Sequence, residues 1–474
     1  MKDIIVVGSG ARECSIIKKL KNDCDNFIIC IGTNTNPYIV QNTRLILVEK
    51  LKLENIKEVV KEVVKEVVKE VVNGINEMEG VDKMNSIDLN YIDLNYIDFV
   101  IIGPEDPLAE GVVDYFNEFN IDCIGPNKFY SQIESSKIFT REFMFLNNLD
   151  QYSPKYKVLS AENIKDRISI SNIIDDFNEI VVKKDGLCGG KGVKIENIDY
   201  YSREDIIDEL TDPNYSEINS EKILLEERLY GEEFSLISFV DKNGNLQHCP
   251  PAQDNKRLLD NDKGPNTGGM GCVIGENNTL PFLNQNDINV AQNINTEIIK
   301  SLNNFGKENG KKNNYCGIIY GSYIKCGDNI YVIEFNSRFG DPEGPIIMEL
   351  LENNFYDICK RIINGTLNEI EINFCKKAII GTYLVPSFYP NKFDINEDKY
   401  DIYFLDKYIN KNLIYGSMEL KDNHIYSLGS RTMILFELGK DLNECYLKIY
   451  KNINRIVGNL TYRGDIGFKF IKYH

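Results

Sequence analysis

The first 125 residues alternate short apolar runs with helical stretches, and this alternation restricts the fold more than any other feature of the chain. Residues 4–7, Ile-Ile-Val-Val, read as a buried strand, followed by Gly8-Ser9-Gly10 and a helical pattern through Leu20. Further strand patterns fall at residues 27–31, 44–48, 99–102 and 121–124. Apolar strands separated by helices require a parallel sheet covered on both faces. An N-terminal parallel α/β domain over residues 1–125 is therefore predicted.

A low-complexity insert, about residues 57–97, interrupts that domain. Lys-Glu-Val-Val occurs four times from Lys57 to Val72, and Ile-Asp-Leu-Asn-Tyr occurs twice, from Ile87 and from Ile92. A four-residue repeat overshoots the 3.6-residue turn, so its valine stripe drifts around a helix. Glu58 and Lys61, with their repeats, give opposite charges at i,i+3. The insert reads as the expansion of one surface helix and its following loop. Four repeats make too short a seam for a coiled-coil partner.

Residues 134–148 look helical. Residues 180–195 read as strand, glycine loop and strand, and 223–227 and 234–240 as further strands. A long helix is expected over 287–305, then a hairpin of 317–324 with 330–335 through Cys326-Gly327-Asp328-Asn329. A smaller C-terminal α+β unit, 355–474, is expected to pack on the middle domain. Its strands lie near 378–385, 413–420 and 432–438, with a helix over 442–457. The fold class is thus α/β and α+β multidomain, with a central domain over 126–354 that carries a small subdomain at about 150–225.

Composition excludes several functions. Hydrophobic content of 42% supports packed cores. The net charge of -18, from 54 basic and 72 acidic residues, argues against a nucleic-acid backbone binder. The 12 Cys stand singly and there are only 3 His, so zinc spacing is missing. Reduced thiols and a cytoplasmic location are expected, with no membrane span.

Two runs carry the chemistry. In Glu334-Phe335-Asn336-Ser337-Arg338-Phe339-Gly340-Asp341-Pro342-Glu343, an acid and an amide stand two residues apart on a strand, and side chains at that spacing share a face. A carboxylate and an amide oxygen suit a hard divalent cation that also holds phosphates. Arg338 and Asp341 follow within reach of a substrate. The run Gly264-Pro265-Asn266-Thr267-Gly268-Gly269-Met270-Gly271 lets backbone lie close to a ligand. In the 181–193 strand–loop–strand, Lys183 can reach a phosphate, Gly189, Gly190 and Gly192 can wrap its oxygens, and Lys191 adds charge; alone the segment reads equally as an ordinary glycine-rich hairpin, and the Glu334–Asn336 pair downstream favours nucleotide binding. The spacing is not that of a Walker loop. Lys137 opens a helix, where a lone lysine is usually just solvated. The 226–233 turn alone reads as a charged surface turn; alternatively its backbone pairs with an adenine edge and Glu233 accepts from ribose. The Gly8–Glu13 turn at a helix start offers N–H groups to a phosphate. Glu13 stands where a dinucleotide fingerprint has its third glycine, which discounts NAD.

This order of a lysine, a glycine-rich hairpin, an acidic strand end and Glu-x-Asn resembles the ATP-grasp ligases. The finer resemblance is to the phosphoribosylamine–glycine ligase family (glycinamide ribonucleotide synthetases) of purine biosynthesis. It is carried by Ile102–Leu108, Lys183–Val193, Pro251–Arg257, Gly264–Gly271 and Arg338–Glu343, in the family's order. The resemblance implies ATP contacts at Lys137, Lys183, Lys191, Glu226, Glu233, Arg257 and Asn266, and magnesium, or manganese in its place, at Glu334 and Asn336. It implies that Gly8, Gly10, Arg12, Glu13, Asp254, Gly268 and Arg338 seat phosphoribosylamine and glycine, with Lys183, Arg257, Arg338 and Asp341 catalytic. The implied reaction passes through glycyl phosphate, with the 189–192 loop as lid. The expected partners are these small molecules; a monomer is expected, with a dimer as alternative.

The family's usual Gly-Gly-Arg-Glu-His is here Gly10-Ala11-Arg12-Glu13-Cys14, Asn255 replaces a His, and Gly344-Pro345 replaces a Thr and its Gln or Glu. The ATP and metal set is intact while the acceptor set is altered. Three readings stay open: a divergent glycine ligase, a ligase for a related acid–amine pair, and a nucleotide-binding homologue without turnover.

Overall fold

The computed structural model describes residues 2–62, 96–164, 166–189, 192–212, 222–391, 400–405 and 409–471. Strands β1 (Asp3–Val7), β2 (Ile28–Gly32), β3 (Arg44–Leu47), β4 (Ile97–Ile102) and β5 (Cys123–Ile124) form a parallel sheet in the order β3-β2-β1-β4-β5. The central strand β1 buries Ile4, Val6 and Val7 completely. Each contributes roughly 1.5–3 kcal/mol of hydrophobic stabilisation. Strand order reverses between β1 and β4, so Gly8 and Gly103 at their ends flank the crevice where such sheets bind ligands. Helix α1 (Ala11–Asp23) starts there and buries Ile16, Ile17 and Leu20.

The first Lys-Glu-Val-Val repeat departs from the expected surface helix. Residues 53–62 are helical, and Ile56, Val59 and Val60 are buried in one cluster with Val112 and Tyr115. Adjacent valines cover more of the sheet than one would. Residues 63–95 of the insert lie outside the described residues.

The helix expected over 134–148 is two, Gln132–Ser135 and Lys137–Leu146. Ser136 breaks it, because its hydroxyl accepts from the Phe139 N–H and caps the second helix. Strands β6 (Tyr156–Leu159), β7 (Ile180–Lys184), β8 (Val193–Ile195) and β9 (Ile223–Glu227) form an antiparallel sheet ordered β6-β9-β7-β8. A second antiparallel sheet, β11-β10-β16-β17, comprises β10 (Glu232–Val240), β11 (Leu246–His248), β16 (Gly317–Cys326) and β17 (Asn329–Asn336). The β16–β17 hairpin turns at Gly327, which takes φ +62°.

Between β11 and β16 in sequence run β12 (Gln253–Asp254), β13 (Arg257–Leu259), β14 (Lys263–Asn266) and β15 (Gly271–Ile274). The largest sheet of the C-terminal region is shared with the central domain. Strand β18 (Ala378–Pro386) pairs with β15 on one side and with Met433–Gly439 on the other, giving a sheet β12-β15-β18 continued by Met433–Gly439 and Leu413–Tyr415. The strand expected over 413–420 is two, Leu413–Tyr415 and Met418–Lys421. They bend apart at Gly416, where an added Cβ would lie 2.7 Å from the Arg431 carbonyl oxygen. The last long helix ends at Asn452 rather than 457. No helix among the described residues is long and apolar enough to cross a membrane.

Candidate active site

A cleft of about 1090 Å³ runs between the β6–β9 sheet and the β10–β17 sheet and reaches Arg12. On its floor, β17 pairs Glu334 with Ser322 and Asn336 with Tyr320, so both side chains point the same way and line the cleft. The register slips just before them, where Tyr323 pairs with Val332, which leaves Ile333 as an extra residue. Such a bulge frees a ladder carbonyl. The Ile333 oxygen accepts from Arg141 Nη2 at 2.7 Å and from Lys183 Nζ at 3.3 Å.

These two cations share one carboxylate. Glu226, buried at the end of β9, takes Arg141 Nε on Oε1 at 2.5 Å and Lys183 Nζ on Oε2 at 2.6 Å. Burial alone would raise the Glu226 pKa, but Arg141 and Lys183 hold it below the ordinary glutamate range. Burial, with Arg141 adding to it, pulls the Lys183 ammonium below the usual lysine range, against the pull of Glu226. Two buried cations on one carboxylate leave a positive charge that faces Glu334 in the cleft. Breaking a buried ion pair at one partner costs about 3–5 kcal/mol. Glu226→Gln should therefore lower unfolding free energy at neutral pH by about that amount in chemical denaturation. Because the folded-state pKa is depressed, this stabilisation is full above the unfolded glutamate value and is lost as pH falls through the folded one, so variant and wild type should converge in acid.

Lys137 Nζ donates to the Gly186 carbonyl at 2.8 Å, and Asp185 accepts from Ser136 Oγ and the Ile138 N–H, which ties this helix start to the β7–β8 loop. Cys188, Gly189 and Gly192 line the cleft. Gly190 and Lys191, the latter an expected ATP contact, lie outside the described residues. Lys256 pairs with Glu233 at 3.0 Å. Arg257 and Asn266 face each other across β13 and β14, and Arg257 Nη1 donates to the Gly264 carbonyl at 2.9 Å.

Glu334 accepts no hydrogen bond and makes no ion pair among the described residues. Burial would raise its pKa, yet Lys256, Lys183, Lys137 and Arg338 around it hold it low, so it is ionised. Arg338 Nη2 donates to Asn336 Oδ1 at 3.2 Å and pairs with Glu134 at 2.9 Å, while Nε reaches Glu105 at 3.2 Å. Glu105 also takes Arg12 at 3.3 Å. Arg12, Glu105, Arg338 and Glu134 thus alternate in sign along the wall.

Of the expected N-terminal loop, only Arg12 is on the cleft wall among the described residues. Glu13 is folded back into the glycine turn. Its Oε2 accepts from the Gly10 N–H at 2.6 Å, and Oε1 is buried without a hydrogen bond among the described residues, 3.9 Å from Arg12 Nε. A Cβ on Gly103 would sit 1.8 Å from that oxygen. The Gly10 N–H that looked free for a phosphate is therefore taken by the chain's own carboxylate. Burial pushes the Glu13 pKa up. Asp254 Oδ1 is likewise buried without a hydrogen bond among the described residues, and the Asp254 pKa is raised by burial and then by Glu343. Asp341 is held on both oxygens, by the Tyr383 hydroxyl at 2.5 Å and Arg431 Nη2 at 3.1 Å.

Reading the sequence overlooked Arg141, Glu134 and Arg431, and gave no role to Glu105, Lys256 or Glu343. Arg141 stands one helical turn past Lys137, a spacing that could have drawn notice. Arg431 has no local signal beyond a single charge before a buried strand.

Two family models match the chain: the N domain of phosphoribosylglycinamide synthetase over residues 2–134 and its ATP-grasp (A) domain over residues 135–344. The phosphoribosylamine–glycine ligase of Methanocella arvoryzae is 30% identical over 465 residues, 98% of this chain and 96% of that protein. The crystal structure of the phosphoribosylamine–glycine ligase from Thermotoga maritima superposes with a TM-score of 0.72 at 20% identity, over 98% of this chain and 100% of that one. An ADP complex of N5-carboxyaminoimidazole ribonucleotide synthetase shares the fold at a TM-score of 0.60 and 12% identity, over 95% and 96% of the two chains. With both domain models matched in sequence order and a relative aligned nearly end to end, the chain belongs to the phosphoribosylamine–glycine ligase (phosphoribosylglycinamide synthetase) family.

Proposed function

We propose that this chain joins glycine to 5-phosphoribosylamine at the expense of ATP, giving glycinamide ribonucleotide, ADP and phosphate in purine biosynthesis. The observation that carries the reading is Glu334: it shares a face with Asn336 on the cleft floor, among the lysines of the same cleft, and has no hydrogen bond or ion pair among the described residues. That donor pair fits magnesium. Among the described residues there is no cluster of three acidic, His or Cys ligands, and magnesium usually takes one or two protein oxygens with substrate phosphates completing its shell. The cation, held by Glu334 and Asn336, would neutralise phosphate charge during transfer.

Val181 and Ile195 on one sheet and Ile324 and Val332 on the other line the cleft, and the nucleotide base fits between them. The Glu227 and Arg228 N–H groups already bond the Lys155 and Glu179 carbonyls, so the adenine edge meets the turn at Leu229. Glu233 accepts from the ribose. Lys137, Lys183, Arg257 and Asn266 face the phosphates. Glu226 acts as counter-ion to Lys183 and Arg141 rather than as an ATP ligand.

A glycine carboxylate oxygen bonds to the γ-phosphorus as the bond to the β,γ-bridging oxygen breaks, and ADP leaves. The substrate amine nitrogen then bonds to the glycyl carbonyl carbon. The carbon–oxygen bond to phosphate breaks and the nitrogen gives up one proton. Arg338 and Asp341 line the acceptor end, with Asp254 and Gly268 beside them. Positioning and fixed charge supply the catalysis, and no side chain is a covalent nucleophile.

The test is ADP release. Release that requires both glycine and phosphoribosylamine is expected. Release with a different carboxylic acid would mark a ligase of another acid–amine pair, and ATP binding without release would overturn the catalytic reading.

A further inference from the structure

Arg431 lies far in sequence from every motif discussed above, yet it reaches into the cleft. Its Nη1 donates to three carbonyl oxygens: Gly268 at 2.5 Å, Asp341 at 2.7 Å and Gly269 at 3.2 Å. Its Nη2 pairs with Asp341 Oδ2 at 3.1 Å. The guanidinium lies 4.7 Å from the centre of the Tyr383 ring, and the Tyr383 hydroxyl holds the other Asp341 oxygen. One planar fork thus fixes two loops that meet at the acceptor end of the cleft. A lysine, with one nitrogen, cannot reproduce that fork.

The glycine pair is explained by the same contact. A Cβ on Gly268 would lie 2.8 Å from Arg431 Cζ and Nη2. A Cβ on Gly269, which takes φ +114°, would lie 2.6 Å from Asp254 Oδ1 and 2.7 Å from Pro342 Cδ. The turn is pressed between Arg431 on one side and Asp254 and Pro342 on the other. Its glycines serve this packing as well as any ligand.

The backbone of Arg431 continues the link to the N-terminal sheet. Its carbonyl accepts from the Ser417 N–H at 2.8 Å. One residue earlier, the Gly416 carbonyl accepts from Asn36 Nδ2 at 3.2 Å, and that amide also reaches Tyr415 O at 2.8 Å and Ser9 O at 3.3 Å. Asn36 is fully buried. A continuous hydrogen-bonded path therefore joins the turn after β1, the bend at Gly416, Arg431 and Asp341.

We propose that Arg431 is a positioning residue for the acceptor half of the reaction, holding Asp341 and the Gly268–Gly269 turn where glycine and the amine substrate meet. The inference rests on the function proposed above. It is tested with Arg431→Met, Arg431→Lys, Arg431→Ala and Tyr383→Phe in the full-length chain, measuring KM for ATP, glycine and phosphoribosylamine separately, with kcat. A loop displaced by about 1 Å costs on the order of 100-fold in rate. Arg431→Met should lower kcat by about that factor and raise KM for at least one acceptor substrate about tenfold, with KM for ATP within about twofold of wild type. Arg431→Lys should recover little, and added methylguanidinium should partly restore the rate of Arg431→Ala. Unchanged acceptor KM and kcat, or an equal rise in all three KM values, overturns the proposal. Should the Arg431 variants not fold, Tyr383→Phe decides: it removes one hydroxyl donor and keeps the fork, and its acceptor KM should rise about threefold, against no change if the proposal is wrong. Wild-type enzyme that releases no ADP with both substrates sinks the function itself, a result distinct from an active wild type with an indifferent Arg431.

Discussion

Glu334→Ala is expected to lower ADP release by about 1000-fold while the protein stays folded. Loss of a single preorganised charge contact in a closed site costs about 100- to 1000-fold, and a metal ligand stands at the upper end. The fold should survive because no hydrogen bond to Glu334 is lost among the described residues, and the lysines nearby keep Glu226 and Glu233 as partners. The direction of ATP affinity separates this role from a general one. With its carboxylate gone, the cleft is more positive, so ATP without a divalent cation should bind at least as tightly as to wild type. Stimulation of binding by added magnesium should vanish. Calorimetry with and without magnesium reads both effects. Retained magnesium stimulation in Glu334→Ala would remove Glu334 from the metal site.

Lys183→Met is expected to cost at least about 100-fold in kcat/KM for ATP. The substitution leaves Glu226 paired with Arg141 at 2.5 Å, so no buried carboxylate is orphaned, and the methionine can fill the stem's volume. Stability should change far less than in Glu226→Gln, although the two residues share one ion pair. Thermal melts of the two variants side by side make that contrast visible. An unchanged rate in Lys183→Met would show that the phosphate is handled by Lys137 and Arg257 alone.

The parallel N-terminal sheet was legible because each strand is a short apolar run bounded by glycine or polar residues. The β16–β17 hairpin was legible from its two-residue turn. The shared face of Glu334 and Asn336 follows from strand pleating alone. What sequence could not give is set by contacts between distant segments. The bulge at Ile333 depends on how β16 pairs, and it decides where Arg141 and Lys183 point. The Gly8–Glu13 turn looked like a phosphate cradle because local rules cannot say that the Glu13 side chain curls back onto Gly10. Glu226 looked like a ligand contact because Arg141, 85 residues earlier, could not be seen beside it. The C-terminal region looked self-contained because sequence order hides the pairing of β15 with β18.

That last pairing has a practical consequence for shortened forms of this chain. Cutting after the Glu334–Glu343 run would leave every motif in place on paper, yet it would strip β15 of its neighbour and bare a row of N–H and C=O groups along Gly271–Ile274. The fragment would also lack the tyrosine and arginine that grip Asp341. Such a piece should stick to copies of itself through the raw strand, and nothing smaller than the joined whole should behave as a catalyst.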